Sequence, residues 1–407
     1  MKKTYRNFLV LVFTLLLGTA SASTVSGVLL YLDNPQNPIP NTVVKLTNLS
    51  TQSVMTVVTD DNGNYEFTDV VPGNYRLSAT TSLASGGVDL LDALEVLKYL
   101  IGQTSFTQIQ LLAADVNGSG SVKLSDFVLI MNHLLHGTPF PVGNWVFETF
   151  NFTVSGTKEE PGGLSGSSSG DLTGVFVPGG RNLPAFPVEH NAKIAATAEN
   201  EIEIPLITYD ALELTGAGLI FNYPGNLISI ESVEFPGNDF QYAISGDQLK
   251  LYWYGESDAP VSFSAGSALA TLHCRTTAAF APGTEADFSL DGSTCLAGGN
   301  YTKITGAKLG IPTITYAAPS LRISNYPNPF AESTMITYYL PEDGNVTIRI
   351  YSYTGQLVLT MPLSDRKEGY NQVNLDAANW LPGNYICRIQ SNGSRNYNES
   401  RILIKTN

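Results

Sequence analysis

The stretch TDDNGNYEFTDVVPGNYRL, residues 59–77, decides the fold class of the N-terminal part of this 407-residue sequence. It contains a cluster of turn-forming residues from Asp60 to Asn64, of the kind that closes a β-hairpin. Tyr65 and Phe67 then alternate with polar residues, as they do on a strand with one buried face. A Pro-Gly turn leads to Tyr75 on the next strand. The stretch therefore predicts antiparallel strands with these three aromatic residues in the core.

Short strands on either side complete one small β-sandwich over residues 23–82. The candidates are VSGVLLYL, TVVKLTN, SVMTVVTD and NYRLSAT. The D-x-x-G-x-Y-x-F pattern followed by P-G-x-Y resembles carboxypeptidase regulatory-like or Cna B-type modules. That resemblance implies a stalk or spacer. Some relatives carry a Lys–Asn isopeptide bond, for which Lys45 is a conceivable donor; the alternative is an ordinary solvated lysine.

The chain changes character over residues 83–140. DLLDALEVLKYLIG (89–102) and SDFVLIMNHLLHG (125–137) carry apolar residues at helical spacing, and each ends at glycine, a common helix stop. GGVDLLDALEVLKYL (86–100) aligns with GSVKLSDFVLIMNHL (120–134) at a constant offset of 34, which pairs Asp92 with Asp126. This duplicated loop–helix pattern resembles a dockerin.

The loop DVNGSGSVKLSD (115–126) has the pattern of a calcium site. Calcium takes oxygen ligands from positions 1, 3, 5, 7 and 12 of such a loop, and position 6 is glycine, here Gly120. The predicted ligands are Asp115, Asn117, Ser119, Ser121 through its backbone carbonyl, and Asp126. Lys123 at position 9 and the presence of only two carboxylates predict a modest dissociation constant, about 0.1–1 mM. The alternative is a plain Asx-Gly turn without metal.

The first repeat lacks most of these ligands. Its equivalent positions hold Thr81, Leu83, Ser85, Gly87 and Asp92, with Asp89 at position 9. Because Leu83 carries no side-chain oxygen, we expect no calcium in this loop. The resemblance to dockerins implies that Leu90, Leu91, Phe127 and Val128 lie near a partner surface; packing between the two helices explains them equally.

Residues 141–184 are predicted to be a linker with a Trp-containing strand, FPVGNWVFE. The Gly/Ser-rich stretch GGLSGSSSG (162–170) is typical of a flexible linker. Bacterial surface proteins with a dockerin-like pair often continue with a similar strand and a G-D-x-x-G turn, which GDLTG (170–174) matches.

Residues 185–316 predict a second β-sandwich. Its candidate strands include EIEIPLITY, GAGLIFNYP, LISIESVEF, QLKLYWYG and ALATLHCRT. Their order resembles the cohesin fold, a jelly-roll sandwich that binds dockerins. The resemblance implies assembly, either with other surface or secreted proteins or between the two modules of this chain.

Residues 317–407 carry a series of motifs in a fixed order. LRISNYPNPFAESTMITYYLPEDGNVTIRIYSYTGQLV (321–358) is followed by LPGNYICRI (381–389) and RILIK (401–405). The series resembles the type A sorting domain of the type IX secretion system. By strand pattern it predicts a sandwich of seven or eight strands with NYPNPF as its entry turn.

The N-terminus predicts export. Lys2, Lys3 and Arg6 precede an apolar run from Phe8 to Leu17, and small residues at 20–22 suggest cleavage after Ala22. The run is shorter than the roughly 20 residues of a membrane span. We therefore expect a protein that is secreted or held on the outer-membrane surface, with the type IX machinery as one partner.

Composition narrows the function. The net charge of −14 argues against nucleic-acid binding. Cys274 and Cys295 either pair across adjacent strands or stay reduced, and Cys387 is expected to fill a strand as a small apolar residue. The predicted fold class is mainly β: several β-sandwich modules plus one small α-helical dockerin-like calcium-loop pair.

We expect no enzyme. The sequence has no H-E-x-x-H helix, Walker loop or C-x-x-C pair, and the modules leave no room for a conventional catalytic domain. The predicted function is non-catalytic assembly or adhesion with calcium as cofactor. The alternative is a carbohydrate-binding accessory protein, with polysaccharide as partner and Tyr252, Trp253 and Tyr254 as stacking residues; a glycosidase is a third alternative.

Overall fold

A computed structural model describes residues 23–156, 158–180, 185–236, 239–318, 320–393 and 395–407. The predicted signal peptide, residues 1–22, lies outside the described residues. No helix within the described ranges is long and apolar enough to cross a membrane. The chain divides into two compact units. The first comprises Met1–Ile194, Glu201–Thr277 and Ala286–Ile314. The second comprises Ala195–Asn200, Ala278–Glu285 and Thr315–Asn407.

The first unit begins with a β-sandwich. Its N-terminal strands are β1 (Ser23–Tyr31), β2 (Asn34–Pro38), β3 (Val43–Asn48), β4 (Val54–Val58), β5 (Asn64–Val70) and β6 (Gly73–Thr80). Tyr65, Phe67 and Tyr75 are all buried, as the alternation predicts. Lys45 on β3 lies opposite Thr56 and Ser78, neither of which carries a carboxamide, so these cross-strand neighbours do not support an isopeptide bond.

The sandwich is completed by strands from far along the chain. These are β7 (Trp145–Phe147), β8 (Phe150–Val154), β9 (Lys158–Glu159) and β10 (Leu164–Ser168). One sheet has the order β4-β3-β6-β8, and the other β2-β1-β10-β7, with β5 and β9 also paired to β1. The predicted sandwich over residues 23–82 is therefore closed by residues 145–168.

The prediction of a flexible linker at residues 162–170 is wrong. Strand β10 lies between β1 and β7, and all five of its residues are buried. A side chain at Gly166 would collide with the ring of Phe147 and approach Ile39. The small residues that are typical of a linker are thus needed here because large neighbours close over this strand.

Three helices separate the two halves of this sandwich: α1 (Leu90–Leu100), α2 (Gln108–Ala114) and α3 (Leu124–His136). Helices α1 and α3 match the predicted segments, and Gly137 ends α3 with a left-handed φ of 68°. Helix α2 was not predicted from the sequence. Its signal is the capping box in which Thr107 accepts from the amide of Gln110 and the Gln110 side chain accepts from the amide of Thr107.

A second sandwich follows, most of it within the first unit; three of its short strands cross from one unit to the other. Its strands are β11 (Val188–Glu189), β12 (Lys193–Ala196), β13 (Glu201–Thr208), β14 (Leu212–Leu214), β15 (Gly216–Asn222), β16 (Ile228–Glu234), β17 (Gln241–Ser245), β18 (Gln248–Tyr254), β19 (Val261–Phe263), β20 (Ala268–Thr276), β21 (Glu285–Ala286), β22 (Ser289–Leu290), β23 (Cys295–Gly298), β24 (Thr302–Lys303), β25 (Leu309–Gly310) and β26 (Thr313–Tyr316). The two main sheets have the orders β11-β25-β13-β20-β16 and β17-β18-β15-β23-β24.

The C-terminal sequence forms seven strands in the second unit. They are β27 (Arg322–Tyr326), β28 (Ser333–Leu340), β29 (Gly344–Ser352), β30 (Leu357–Arg366), β31 (Gly369–Asp376), β32 (Gly383–Asn392) and β33 (Asn396–Lys405). Their orders are β27-β28-β31 and β30-β29-β32-β33. The NYPNPF motif connects β27 to β28 instead of preceding the first strand. With three such strand-rich parts and only short helices described, the mainly-β prediction is confirmed.

All three cysteines are free and buried. Cys274 lies on β20 and Cys295 on β23, in different sheets, and Cys387 fills the core beside β29 as a small apolar residue. Burial raises the pKa of the Cys274 and Cys387 thiols to about 12 and that of Cys295 well above its ordinary value. The reactive thiolate is therefore suppressed in the folded chain.

The thiols give the first prediction. Native protein should show no rapid reaction with a thiol reagent such as Ellman's, because all three sulfurs are buried and protonated. The same protein unfolded without reductant should show three thiols per chain. A count of one after unfolding would mean that two of them pair.

Candidate functional site

The predicted calcium loop links α2 to α3, and its polar groups converge. Asp115 ends α2, and its carboxylate accepts the amide of Ser119 at 2.9 Å and that of Gly120 at 2.6 Å. Asp126 is fully buried and accepts from the amides of Asn117 at 3.3 Å and Lys123 at 2.9 Å. The structure thus brings both predicted carboxylates into one loop.

The remaining predicted ligands lie in the same turn. Asn117 Oδ1 accepts from the amide of Ser119 at 2.8 Å, and the Ser119 hydroxyl donates to the Ser121 carbonyl at 3.0 Å. Gly120 has a φ of +84°, the left-handed backbone that favours glycine. Carboxylate, amide, hydroxyl and carbonyl oxygens make an all-oxygen donor set, which suits a hard cation such as calcium. The residues present therefore fit the ion.

The first repeat is held together differently. Asp92, the equivalent of Asp126, is fully buried, and its Oδ2 accepts from the amide of Asp89 at 2.7 Å. Its Oδ1 accepts from the amides of Leu172 and Thr173, both at 2.9 Å. Two backbone N–H groups from the GDLTG turn therefore supply positive partial charge to this carboxylate.

The turn that supplies these amides is anchored on three sides. Asp171 accepts from the Tyr31 hydroxyl at 2.7 Å and from the amide of Gly174 at 2.8 Å. Gln110 on α2 donates to the carbonyl of Leu172 at 3.0 Å. The G-D-x-x-G turn thus ties the first sandwich to α1 and α2, a role that its sequence did not reveal.

Three buried carboxyl groups lie at the contact between the G-D-x-x-G turn and helix α1. Burial raises the pKa of Asp89 to about 6; the Asp171 carboxylate adds to the rise, while the Leu91 amide and Lys303 oppose it. Burial raises the pKa of Asp92 well above its usual range, and repulsion by Asp89 and Asp171 adds to this. Burial also raises the pKa of Asp171. The folded chain therefore favours protons on this group of acids.

Helix α1 packs directly on strand β15 of the second sandwich. A Cβ built on Gly218 would lie 3.2 Å from Leu90 Cβ, and one built on Gly216 would lie 3.1 Å from Leu94 Cδ1. Both leucines are fully buried. The G-A-G spacing leaves one face of the strand without side chains, so the helix rests on its backbone.

Helix α3 contacts the neighbouring strand β18. The Phe127 ring meets Tyr254 edge to face, with 5.3 Å between ring centroids. Lys250 Nζ donates to the Leu134 carbonyl at 3.0 Å, in the last turn of α3, where a cation is favourable. The helix pair is therefore docked on the second sandwich of its own chain.

The four residues that the resemblance to dockerins places near a partner differ in their contacts and exposure. Leu90 and Phe127 contact the second sandwich, Leu91 is buried, and Val128 is 49% exposed. Leu124, the repeat equivalent of Leu90, is 59% exposed. The equivalent positions Leu90 and Leu124 therefore differ: the first contacts the sandwich and the second faces solvent.

Two of the three aromatic residues proposed to stack on sugar are covered, and Tyr254 is 37% exposed. Trp253 is 3% exposed in the sandwich interior and Tyr252 is 2% exposed among the helix contacts. Tyr254 is engaged by Phe127. Tyr252 and Trp253 therefore offer no open stacking surface, and of the three side chains only Tyr254 reaches solvent.

Other reactive groups are accounted for. Residues 166–170 read G-S-S-S-G, the spacing of a hydrolase nucleophile elbow, but Ser168 is 1% exposed and its hydroxyl accepts from the amide of Gly86. His133 contacts the Thr138 carbonyl and stacks on Phe140. Within the described ranges no three His, Cys, Asp or Glu side chains are grouped to hold a metal.

The buried acids predict an unusual pH dependence. Because the folded pKa of Asp89 exceeds the unfolded value, its stabilising contribution is largest near pH 4 and is lost as the pH rises through about 6. Asp89→Asn keeps the helix cap and removes the charge. Unfolding midpoints are measured by scanning calorimetry at pH 4.5 and pH 7.5. The midpoint of the variant minus that of the parent should be about 2–6 °C larger at pH 7.5 than at pH 4.5.

Asp61→Asn, which alters an exposed carboxylate, is the matched control and should follow the parent at both pH values. Parallel midpoints for parent and Asp89→Asn across this range would contradict a pKa of Asp89 raised by burial.

Three family models match separate parts of the chain. Residues 24–85 match the carboxypeptidase regulatory-like domain, residues 84–135 the dockerin type I domain, and residues 324–405 the secretion system C-terminal sorting domain. These matches confirm the three corresponding resemblances. The sorting-domain match also confirms that the protein is secreted or displayed on the outer-membrane surface. All three matched domains are of non-catalytic types.

Solved structures similar to this chain include several cohesins. The sixth cohesin of scaffoldin B from Acetivibrio cellulolyticus is 15% identical, with a TM-score of 0.27, covering 31% of this chain and 95% of that one. The Clostridium thermocellum Coh-OlpC–Doc435 complex is 15% identical, with a TM-score of 0.27, covering 33% and 99%. The Bacillus cereus major pilin subunit BcpA is 10% identical, with a TM-score of 0.28, covering 94% and 95%. No curated protein sequence matches the chain.

Proposed function

We propose that this protein is a non-catalytic, exported assembly or adhesion protein whose dockerin-like helix pair is stabilised by calcium and docks on a β-sandwich module. The observation that carries this proposal is the buried contact of α1 and α3 with a β-sandwich. That arrangement joins the helix pair and the sandwich through one shared apolar core. The likeness of residues 185–316 to cohesins is part of the proposal.

Calcium is proposed at the second loop alone. The ligands would be Asp115, Asn117, Ser119 and Asp126, with the backbone carbonyl of Ser121. The ion would supply positive charge between two carboxylates that are otherwise held by backbone amides. The first loop meets that need with the amides of Leu172 and Thr173 and needs no ion.

The partners of such a protein are other proteins. The type IX machinery handles the sorting domain, and other surface or secreted proteins are proposed to contact the modules. Mild cross-linking on intact cells tests these partners. An assembly or adhesion protein should co-purify with defined surface proteins. Deletion of residues 24–314 should abolish the recovery of those proteins. Recovery of the secretion machinery alone would contradict an assembly function.

Calorimetric titration of the chain from residue 23 to 407 with calcium should show one site. An isolated 83–184 fragment is unsuitable because β10, which also pairs with β7, needs β1 as a neighbour and β8 needs β6. With a dissociation constant of about 0.1–1 mM, 10 mM calcium should stabilise the first unit by about 1.4–2.7 kcal/mol. Asp115→Ala should abolish both the heat and the stabilisation.

Thr81→Ala provides the matched control, since Thr81 occupies the equivalent position of the first loop. It should bind calcium as the parent does. Two sites in the parent, or none, would refute the assignment of one calcium to the second loop.

A further inference from the structure

We infer that the strand face formed by β15, β18 and β23 is the resident partner of the helix pair in the same chain, and that this contact withholds the pair from partners in trans. The inference rests on the proposed function, because it concerns how the same helix pair meets a sandwich. It adds that the partner is already in place.

The first reason is steric. Gly216 and Gly218 have no left-handed backbone that would demand glycine, so their lack of a side chain serves close approach. Leu94 and Leu90 occupy the space in which those side chains would lie. An ordinary strand surface would keep α1 several ångströms away. This strand is therefore shaped for a helix with leucines at these positions.

The second reason is burial. Residues from the helices and from the sandwich form one continuous buried cluster, in which Tyr252, Cys295 and Ala297 are at most 3% exposed. The Cys295 sulfur lies against the backbone N–H groups of Leu90 and Leu91, at the start of α1. A helix from another molecule cannot reach these residues while α1 is in place.

The third reason is polar complementarity. Lys250 is half-buried, and burial lowers the pKa of its ammonium group. Its bond to the Leu134 carbonyl offsets this cost only while α3 is docked. Release of the helices would also expose apolar surface of Leu90, Leu94 and Phe127 to water, which is unfavourable.

Connection within one chain adds a further advantage. Short flexible tethers give effective concentrations in the millimolar range. A competing module present at micromolar concentration would need to bind about a thousandfold more tightly to displace the resident contact. Assembly with other proteins would therefore use other surfaces of this chain.

Cleavage of the chain between the helices and the second sandwich tests the inference on residues 23–407. A protease-recognition sequence inserted between Gly179 and Gly180, both exposed, separates the helices from the second sandwich along the chain. After cleavage the two fragments should co-elute in size exclusion at micromolar concentration, with or without chelator. Separation of the parent fragments at this concentration would overturn the inference.

Two variants examine the contact itself. Gly216→Val should weaken fragment association by about tenfold to hundredfold, because the new side chain collides with Leu94. Adding Leu94→Ala should restore part of the loss. Gly299→Val is the control, since a Cβ there meets nothing within 4 Å. Equal association of Gly216→Val and parent fragments would contradict the proposed docking surface.

Two further readouts separate the possible failures. Protection of Cys274 from thiol reagents shows that the second sandwich of each variant is folded. Exchange of a cleaved fragment into uncut, labelled chain should be undetectable over hours; rapid exchange would show that the helix pair is available in trans. Because these results do not depend on calcium, they remain informative if the calcium titration fails.

Discussion

The hydrogen bonds to the buried Asp92 carboxylate are the constraint on which the first unit depends. Three backbone amides donate to it: one caps α1 and two come from a turn 80 residues further along the chain. A buried carboxylate is costly without such partners. The turn must therefore stay beside α1, and its Asp171 binds Tyr31 of the first sandwich. One acidic residue thus fixes the relation between the first sandwich and the helices.

The two repeats bind their buried aspartates with different partners. Each places an aspartate at the start of its long helix, where a carboxylate needs positive partners. In the first repeat Asp92 accepts from amides of a distant turn, and in the second Asp126 accepts from amides of its own loop, which retains the oxygen ligands that suit calcium. The ligand losses at Leu83 and Thr81 are therefore compensated by a contact from outside the repeat. This asymmetry accounts for a folded helix pair with a single proposed ion.

Docking of the helices on the second sandwich explains the roles of several residues that the sequence left open. Leu90 and Phe127 had two equal explanations in the sequence, and contact with the sandwich is the one that the structure supports. Tyr252 and Trp253, which suggested sugar stacking, are buried. The same strand that offered aromatic side chains to a ligand serves instead to hold the helices.

The sequence by itself determined the local elements: the β-rich modules, both long helices, the calcium loop with its positions, and the C-terminal sorting motifs. These depend on periodicity and on spacing within a few residues, which a single chain displays directly. Only the tertiary structure decided that the Gly/Ser stretch at 164–168 is a central strand, that the amides of Leu172 and Thr173 bind Asp92 of the first repeat, and that α1 rests on Gly216 and Gly218. These features depend on contacts between residues about 80 to 135 positions apart, where a small side chain is required by its neighbour and not by its own local sequence.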